Sequence, residues 1–253
     1  MNHMDDIAKR IDVEYRLKNK VSNRRIMYDG KECSISMVMP GHEFVPDSWA
    51  EYWKCLRENF NVCSSDKTYP ALFQNINSYA YSTVLEIGYG KGYVGKKLIG
   101  KGKNYYGIDY VREDGLDIDR FKKIRRSGIP MSLRIKNYYD LIFSDNTFQN
   151  LPKDVRDDYF KQGLKYLSKD GVFAVSLFLM SEKNRNMFQL RDGKPVSYFY
   201  NVVFECEEEE DLKNRLLSFG YQDVVIFYPY GENFHYGNVY AFNNKDHKSW
   251  LEI

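Results

Sequence analysis

The stretch "VLEIGYGKGYVGKKL", from Val84 to Leu98, decides how this chain is read. Apolar Val84, Leu85 and Ile87 make a short buried strand, yet they bracket one acid, Glu86. A carboxylate buried without a partner costs several kcal/mol, so Glu86 needs a reason. Gly88, Gly90, Gly92 and Gly95 follow, and Val94 and Leu98 then fall on one face of a helix. A glycine turn between a strand and its helix lets the backbone close on a ligand and points N–H groups at it. In an open parallel sheet such a turn stands beyond the carboxyl ends of the strands, where ligands bind.

Working outward, strands and helices alternate. "NYYGIDYV" is a second strand and "YYDLIFS" a later one; "KDVRDDYFKQGLKYL" is amphipathic and helical; "GVFAVSLF" is a strand preceded by the turn "SKDG". "EEEEDLKNRLLSFG" reads as a helix with acids in its first turn and Gly220 as terminator. "YQDVVIFYPYG" and "HYGNVYAFNN" make a closing strand pair. Between 110 and 138 the reading stays open, with the third strand at 115–121 or at 129–135. The expected fold class is α/β: a doubly wound, mostly parallel seven-stranded sheet with an antiparallel last strand, plus an N-terminal helical extension. Residues 1–80 are that extension or lid, with helices expected in "DDIAKRIDVEYRLKNKV" and "DSWAEYWKCLRENF"; residues 81–253 form the main domain.

The 253 residues are 43% hydrophobic, 28% charged and carry a net charge of +2. That balance gives no electrostatic case for nucleic acid or a membrane surface. No apolar run approaches the length of a membrane span. Cys33, Cys55, Cys63 and Cys206 are irregularly spaced, which argues against a zinc site and for free thiols in a cytoplasmic protein.

Two cofactor readings fit the glycines. Gly90-x-Gly92-x-x-Gly95 matches the dinucleotide pattern of nicotinamide enzymes, with Asp109 placed as the ribose-binding acid. Glu86-x-Gly88-x-Gly90-x-Gly92, in "VLEIGYGKG", resembles the first motif of the class I (Rossmann-like) S-adenosylmethionine-dependent methyltransferases. "YYDLIFSDNTFQNLP" resembles that family's fourth-strand motif, and "LKYLSKDGVFAVS" its fifth-strand region. The resemblance runs from Thr83 to about Asn244.

It implies S-adenosyl-L-methionine as cofactor, held by Glu86, Gly88, Tyr89, Gly90, Gly92, Asp109, Tyr110, Asp119, Ser144 and Asp145. In this reading Glu86 answers the positive charge of the methionine portion and Asp109 takes the ribose hydroxyls. Asp119 serves near the adenine if the third strand is 115–121. Where many small-molecule members carry a Glu-His pair, this chain has Gln149-Asn150, and neither amide is a base. His235 and Asp145 are then the candidate catalytic residues. The insertion at about 180–202, mixing Lys183, Arg185, Arg191 and Lys194 with aromatic residues, is expected to border the acceptor pocket. The expected reaction is O-methylation of a polar small molecule such as a sugar, with no metal.

Overall fold

Strand β3 (Thr83–Ile87) lies inside the sheet with a strand on each side, and its burial on both faces explains why Val84, Leu85 and Ile87 are all apolar. In the computed structural model, residues 26–28, 31–33, 70–90, 92–109, 121–123, 129, 133–151, 153–185, 189–191, 194–199, 202–229, 231, 236–246 and 249–251 are described.

Helix α1 (Tyr93–Gly100) leads to β4 (Asn104–Asp109), and β5 (Phe121–Lys123) and β6 (Tyr139–Ser144) follow. Helix α2 (Lys153–Tyr166) runs into β7 (Leu167–Met180). A short strand, β11 (Glu207–Glu208), precedes α3 (Glu209–Phe219), β12 (Asp223–Phe227) and β13 (Tyr236–Phe242). The sheet order is β12-β13-β7-β6-β3-β4-β5, with β13 antiparallel to both neighbours and the remaining pairs parallel. The seven expected strands are present, and β11 adds an eighth by pairing with Leu179 and Met180 of β7. An all-parallel dinucleotide-binding sheet has no reversed strand at this position.

Successive residues of a strand face opposite sides, and two apolar layers result. One joins Leu85, Ile87, Ile142, Phe173 and Val175 to Val155, Tyr159 and Phe160 of α2 and to Leu212 and Leu216 of α3. The other joins Val84, Tyr105, Phe143, Ala174 and Tyr240 to Val94 and Leu98 of α1 and to Leu72, Phe73 and Trp250. Gly163 lets α2 approach the sheet, since a Cβ there would lie 2.4 Å from the Phe173 ring. The predicted "SKDG" turn appears as a register break: Leu167 stands opposite Tyr139, and Val172 is already opposite Leu141.

The described third strand is Phe121–Lys123, which includes the last residue of the 115–121 proposal; the rest of that stretch lies outside the described residues, and the described residues of 129–135 are not strand. In the latter stretch Ile129 and Leu133 are both buried. The Ile129 N–H donates to the Gln162 side chain of α2 at 3.0 Å, and Arg134 Nε donates to the Ile129 carbonyl at 2.8 Å.

Within residues 1–80 the described part holds an antiparallel pair, β1 (Ile26–Tyr28) with β2 (Lys31–Cys33), and a 3-10 turn at Ala71–Phe73. The two helices expected there lie outside the described residues. The insertion near 180–202 forms its own antiparallel sheet of β8 (Gln189–Arg191), β9 (Lys194–Phe199) and β10 (Val202–Glu205). Strand β10 packs beside the 3-10 turn Phe148–Asn150 that follows β6.

Candidate active site

Glu86, Asp109 and Asp145 come to one face of the sheet at its carboxyl end. Glu86 stands on β3 abreast of Gly107 on β4 and Phe143 on β6, so Asp109 and Asp145 are each two residues further on, on the same side. Glu86 is buried, and the Tyr105 hydroxyl donates to its carboxyl. Burial drives the Glu86 pKa up to about 8; the Tyr105 bond works against this, and the negative charges of Asp145 and Asp109 add to it. At neutral pH Glu86 is therefore mostly protonated, which answers how the chain tolerates it inside a strand.

The glycine turn closes over these acids. Gly88, Gly90 and Gly92 all have positive φ, at 82°, 54° and 72°, conformations that L side chains rarely adopt. The Gly88 N–H donates to the Ile108 carbonyl at 2.7 Å, and the Gly90 N–H donates to Asp109 Oδ2 at 2.8 Å. Asp109 thus holds the turn in place. Gly92 is the N-cap of α1, and no side chain caps that end. Gly95 serves packing instead. A Cβ there would lie 2.5 Å from the Tyr105 ring, so the missing side chain lets α1 pack on β4. A Cβ on Gly88 would lie 2.1 Å from Thr147 Oγ1, so the loop after β6 crosses directly against the glycine turn.

Asp145 opens that loop and is half-buried. Ser176 Oγ donates to its Oδ1 at 3.0 Å, and Asn146 Nδ2 donates to its Oδ2 at 3.0 Å. Desolvation raises its pKa to about 6, with those two hydrogen bonds opposing. Asn146, at a φ of 55°, accepts a hydrogen bond from the Tyr236 hydroxyl at 2.7 Å, which ties the loop to the start of β13. Gln149 Nε2 donates to the same Asn146 oxygen at 3.4 Å. On the neighbouring strands Ser176 stands opposite Asn238 of β13, and both are fully buried.

Several expected site residues take other places. Ser144 is fully buried on the opposite face, and its hydroxyl donates to the Ile87 carbonyl at 2.8 Å, holding β6 to β3. Tyr89 is buried in the α1-side apolar layer. Tyr110, Asp119 and His235 lie outside the described residues. Asp119 lies two residues before Phe121, the first described residue of β5. Asp140, the next acid in the chain, sits at the amino end of the sheet and accepts the N–H groups of Ser82 and Thr83 at 2.9 and 3.0 Å.

Tyr105, Thr147, Ser176 and Asn238 escaped the sequence reading. Strand parity was the available signal for Tyr105, which shares the face of Asp109 four residues away. Ser176 and Asn238 become neighbours of Asp145 only through strand pairing. Beneath the site, Arg156 and Glu207, both buried, pair at 2.8 Å, and Arg215 bonds both Glu207 and Asp157. Arg156 Nη1 also donates to the Leu151 carbonyl at 3.1 Å, anchoring the loop after β6 to α2 and β11. Among the described residues no group of three or more His, Cys, Asp or Glu side chains is placed to hold a metal ion, and no helix is long and apolar enough to cross a membrane.

No protein-family model matches the chain. An uncharacterized methyltransferase of Bacillus mycoides is 24% identical over 179 residues, covering 62% of this chain and 81% of the relative. One from Bacillus cereus is 26% identical over 173 residues with the same coverage. Among solved structures, the 1,6-didemethyltoxoflavin-N1-methyltransferase of Burkholderia thailandensis, with bound 1,6-didemethyltoxoflavin and S-adenosylhomocysteine, superposes with a TM-score of 0.51 at 16% identity over 75% of this chain and 83% of that one. Human N-acetylserotonin methyltransferase, in complex with S-adenosylmethionine, gives a TM-score of 0.50 at 11% identity over 76% of this chain and 55% of that one. The fold of this chain is that of the class I methyltransferases.

Proposed function

We propose that this chain, with its class I methyltransferase fold, is an S-adenosyl-L-methionine-dependent enzyme that O-methylates a polar small molecule, a sugar or nucleotide-linked sugar, in the cytoplasm. The observation that carries the reading is the gathering of Glu86, Asp109 and Asp145 around a glycine turn at the carboxyl end of the sheet. Three acids on one face suit a cationic ligand that also brings hydroxyl groups, and this cofactor carries a sulfonium, an ammonium and a ribose. A nicotinamide cofactor brings a pyrophosphate, which the acids would repel. The reversed strand β13 also separates the sheet from the all-parallel dinucleotide type.

The cofactor would supply a methyl group already activated by positive sulfur, so the protein's work is chiefly alignment, worth roughly 7–11 kcal/mol. In this reading Glu86 meets the ammonium, Asp109 takes the ribose hydroxyls, and the backbone of Gly88, Gly90 and Gly92 admits the ligand, with Tyr110 flanking it. Asp119 remains the candidate acid near the adenine. Asp145 is the candidate base for a hydroxyl acceptor. A pKa of about 6 leaves it ionised at neutral pH yet basic enough to take a proton. His235 is the other candidate base. The strands β8, β9 and β10 and residues 1–80 would enclose the acceptor. N-methylation of a small metabolite is the alternative within the same chemistry, and there the Asp145→Asn variant would retain activity, because an unprotonated amine needs no base.

Thermal-shift titration tests the assignment. Stabilisation by S-adenosylhomocysteine and none by NADH is expected; the reverse pattern would transfer the site to the nicotinamide class.

A further inference from the structure

We infer that Tyr105 is a positioning residue for the cofactor: its phenol reaches from the neighbouring strand to hold the Glu86 carboxyl where a ligand ammonium meets it, and position 95 is glycine to make room for that phenol. The inference rests on the methyltransferase reading and deepens it by naming the residue that prepares the ammonium site. Tyr105 stands opposite Val84 on the paired strand, so it shares a face with Glu86, two residues further on. It is fully buried in the apolar layer with Val84, Val94 and Leu98. Its hydroxyl donates to Glu86 Oε2. A Cβ on Gly95 would lie 2.5 Å from the ring carbon that bears the hydroxyl and 2.8 Å from the hydroxyl oxygen. A side chain at 95 would therefore push the phenol off the carboxyl. Strands β3 and β4 and helix α1 thus meet at one hydrogen bond.

Packing alone does not call for this pair. A phenylalanine at 105 facing an apolar side chain at 86 would fill the same space without burying a hydroxyl and a carboxyl. The pair has a use where Glu86 must ionise to meet a cation. Burial, then the charge of Glu86 and their hydrogen bond, hold the Tyr105 pKa well above its usual value, so the phenol keeps its proton and stays a donor. Its bond to an ionised carboxylate is stronger than its bond to the neutral acid. The other titratable groups acting on Glu86 or Tyr105 are Asp109 of β4, Asp145 of the loop after β6 and Tyr89 of the glycine turn, and each raises one pKa or both. Among these groups it is Tyr105 that favours the Glu86 carboxylate.

The test is titration calorimetry on the full chain at neutral pH with two probes. S-adenosylhomocysteine carries the ammonium; 5′-methylthioadenosine keeps the adenosine and the sulfur and lacks it. Tyr105→Phe, which retains the ring, is expected to weaken S-adenosylhomocysteine roughly tenfold or more and to leave 5′-methylthioadenosine within about twofold of the wild type. In a Glu86→Gln background the same substitution is expected to change either affinity by less than about twofold, because the interaction it removes is already gone. Gly95→Ala, which displaces the phenol, is expected to show the same selective loss and carries the test if Tyr105→Phe does not fold. Equal losses for both probes, no loss for either, or a loss that persists in the Glu86→Gln background would overturn the inference. A wild type that binds neither probe would instead count against the methyltransferase reading beneath it.

Discussion

Glu86 makes cofactor binding a proton-linked event. Its pKa stands near 8 in the unliganded chain, chiefly because it is buried, with two further acids on the same face. To meet an ammonium group it must ionise, so binding at neutral pH must expel its proton. With a pKa of about 8, roughly nine-tenths of the molecules are protonated at pH 7, and binding there releases close to one proton. The observed affinity then lies about tenfold below its limit, about 1.4 kcal/mol. Between pH 5.5 and 7.5 the affinity for S-adenosylmethionine should rise roughly 75-fold, on the same arithmetic. Isothermal titration calorimetry in two buffers of different ionisation enthalpy measures both the affinity and the protons released. Glu86→Gln should flatten the slope and abolish most of the release. An affinity independent of pH in the wild type, or an equal slope in the variant, would refute the reasoning.

Other perturbations reach separate parts of the account. The same carboxyl has a sign for stability: its folded pKa lies above the ordinary 4.5, so its contribution is full below about 4.5 and lost as pH rises to about 8. Unliganded Glu86→Gln should therefore melt higher than wild type at pH 8.5 and match it at pH 4.5, by calorimetry. Asp109→Ala should weaken S-adenosylhomocysteine binding by about 1.5–3 kcal/mol, since bonds to a charged acceptor are lost; unchanged affinity would remove its ribose role. If Asp145 is the base, turnover in the presence of saturating acceptor should fall below an apparent pKa near 6, and Asp145→Asn should lose that limb together with most of the rate. Glu207→Ala, which strands Arg156 in the interior, should cost about 3–5 kcal/mol in chemical denaturation; a cost under about 1 kcal/mol would show that the pair is not buried in solution.

The sheet was legible because its strands carry their own evidence. Both-face burial gave β3 and β7 their continuous apolar runs, and Gly220, at a φ of 112°, ends α3 where the pattern stopped. The third strand was hard to read, because its described part is three residues long and the more apolar stretch 129–135 competed with it. The glycine turn and its acids were visible as a motif, yet what each glycine does was not. Gly88 clears Thr147 and Gly95 clears Tyr105, contacts made across the fold. Ser144 shows the same limit: read as a strand-end residue it belonged to the site, but strand parity turns it away and its hydroxyl closes a buried bond. The Asp145–Ser176 pair and its neighbour Asn238 arise from strand register alone, which no local stretch of sequence encodes.

A crystal structure of the chain with S-adenosylhomocysteine addresses the central claim most directly. The account predicts the ribose hydroxyls on Asp109, the ammonium beside Glu86 and the sulfur facing Asp145. A ligand lodged elsewhere, or one whose ribose and ammonium touch neither acid, would contradict it.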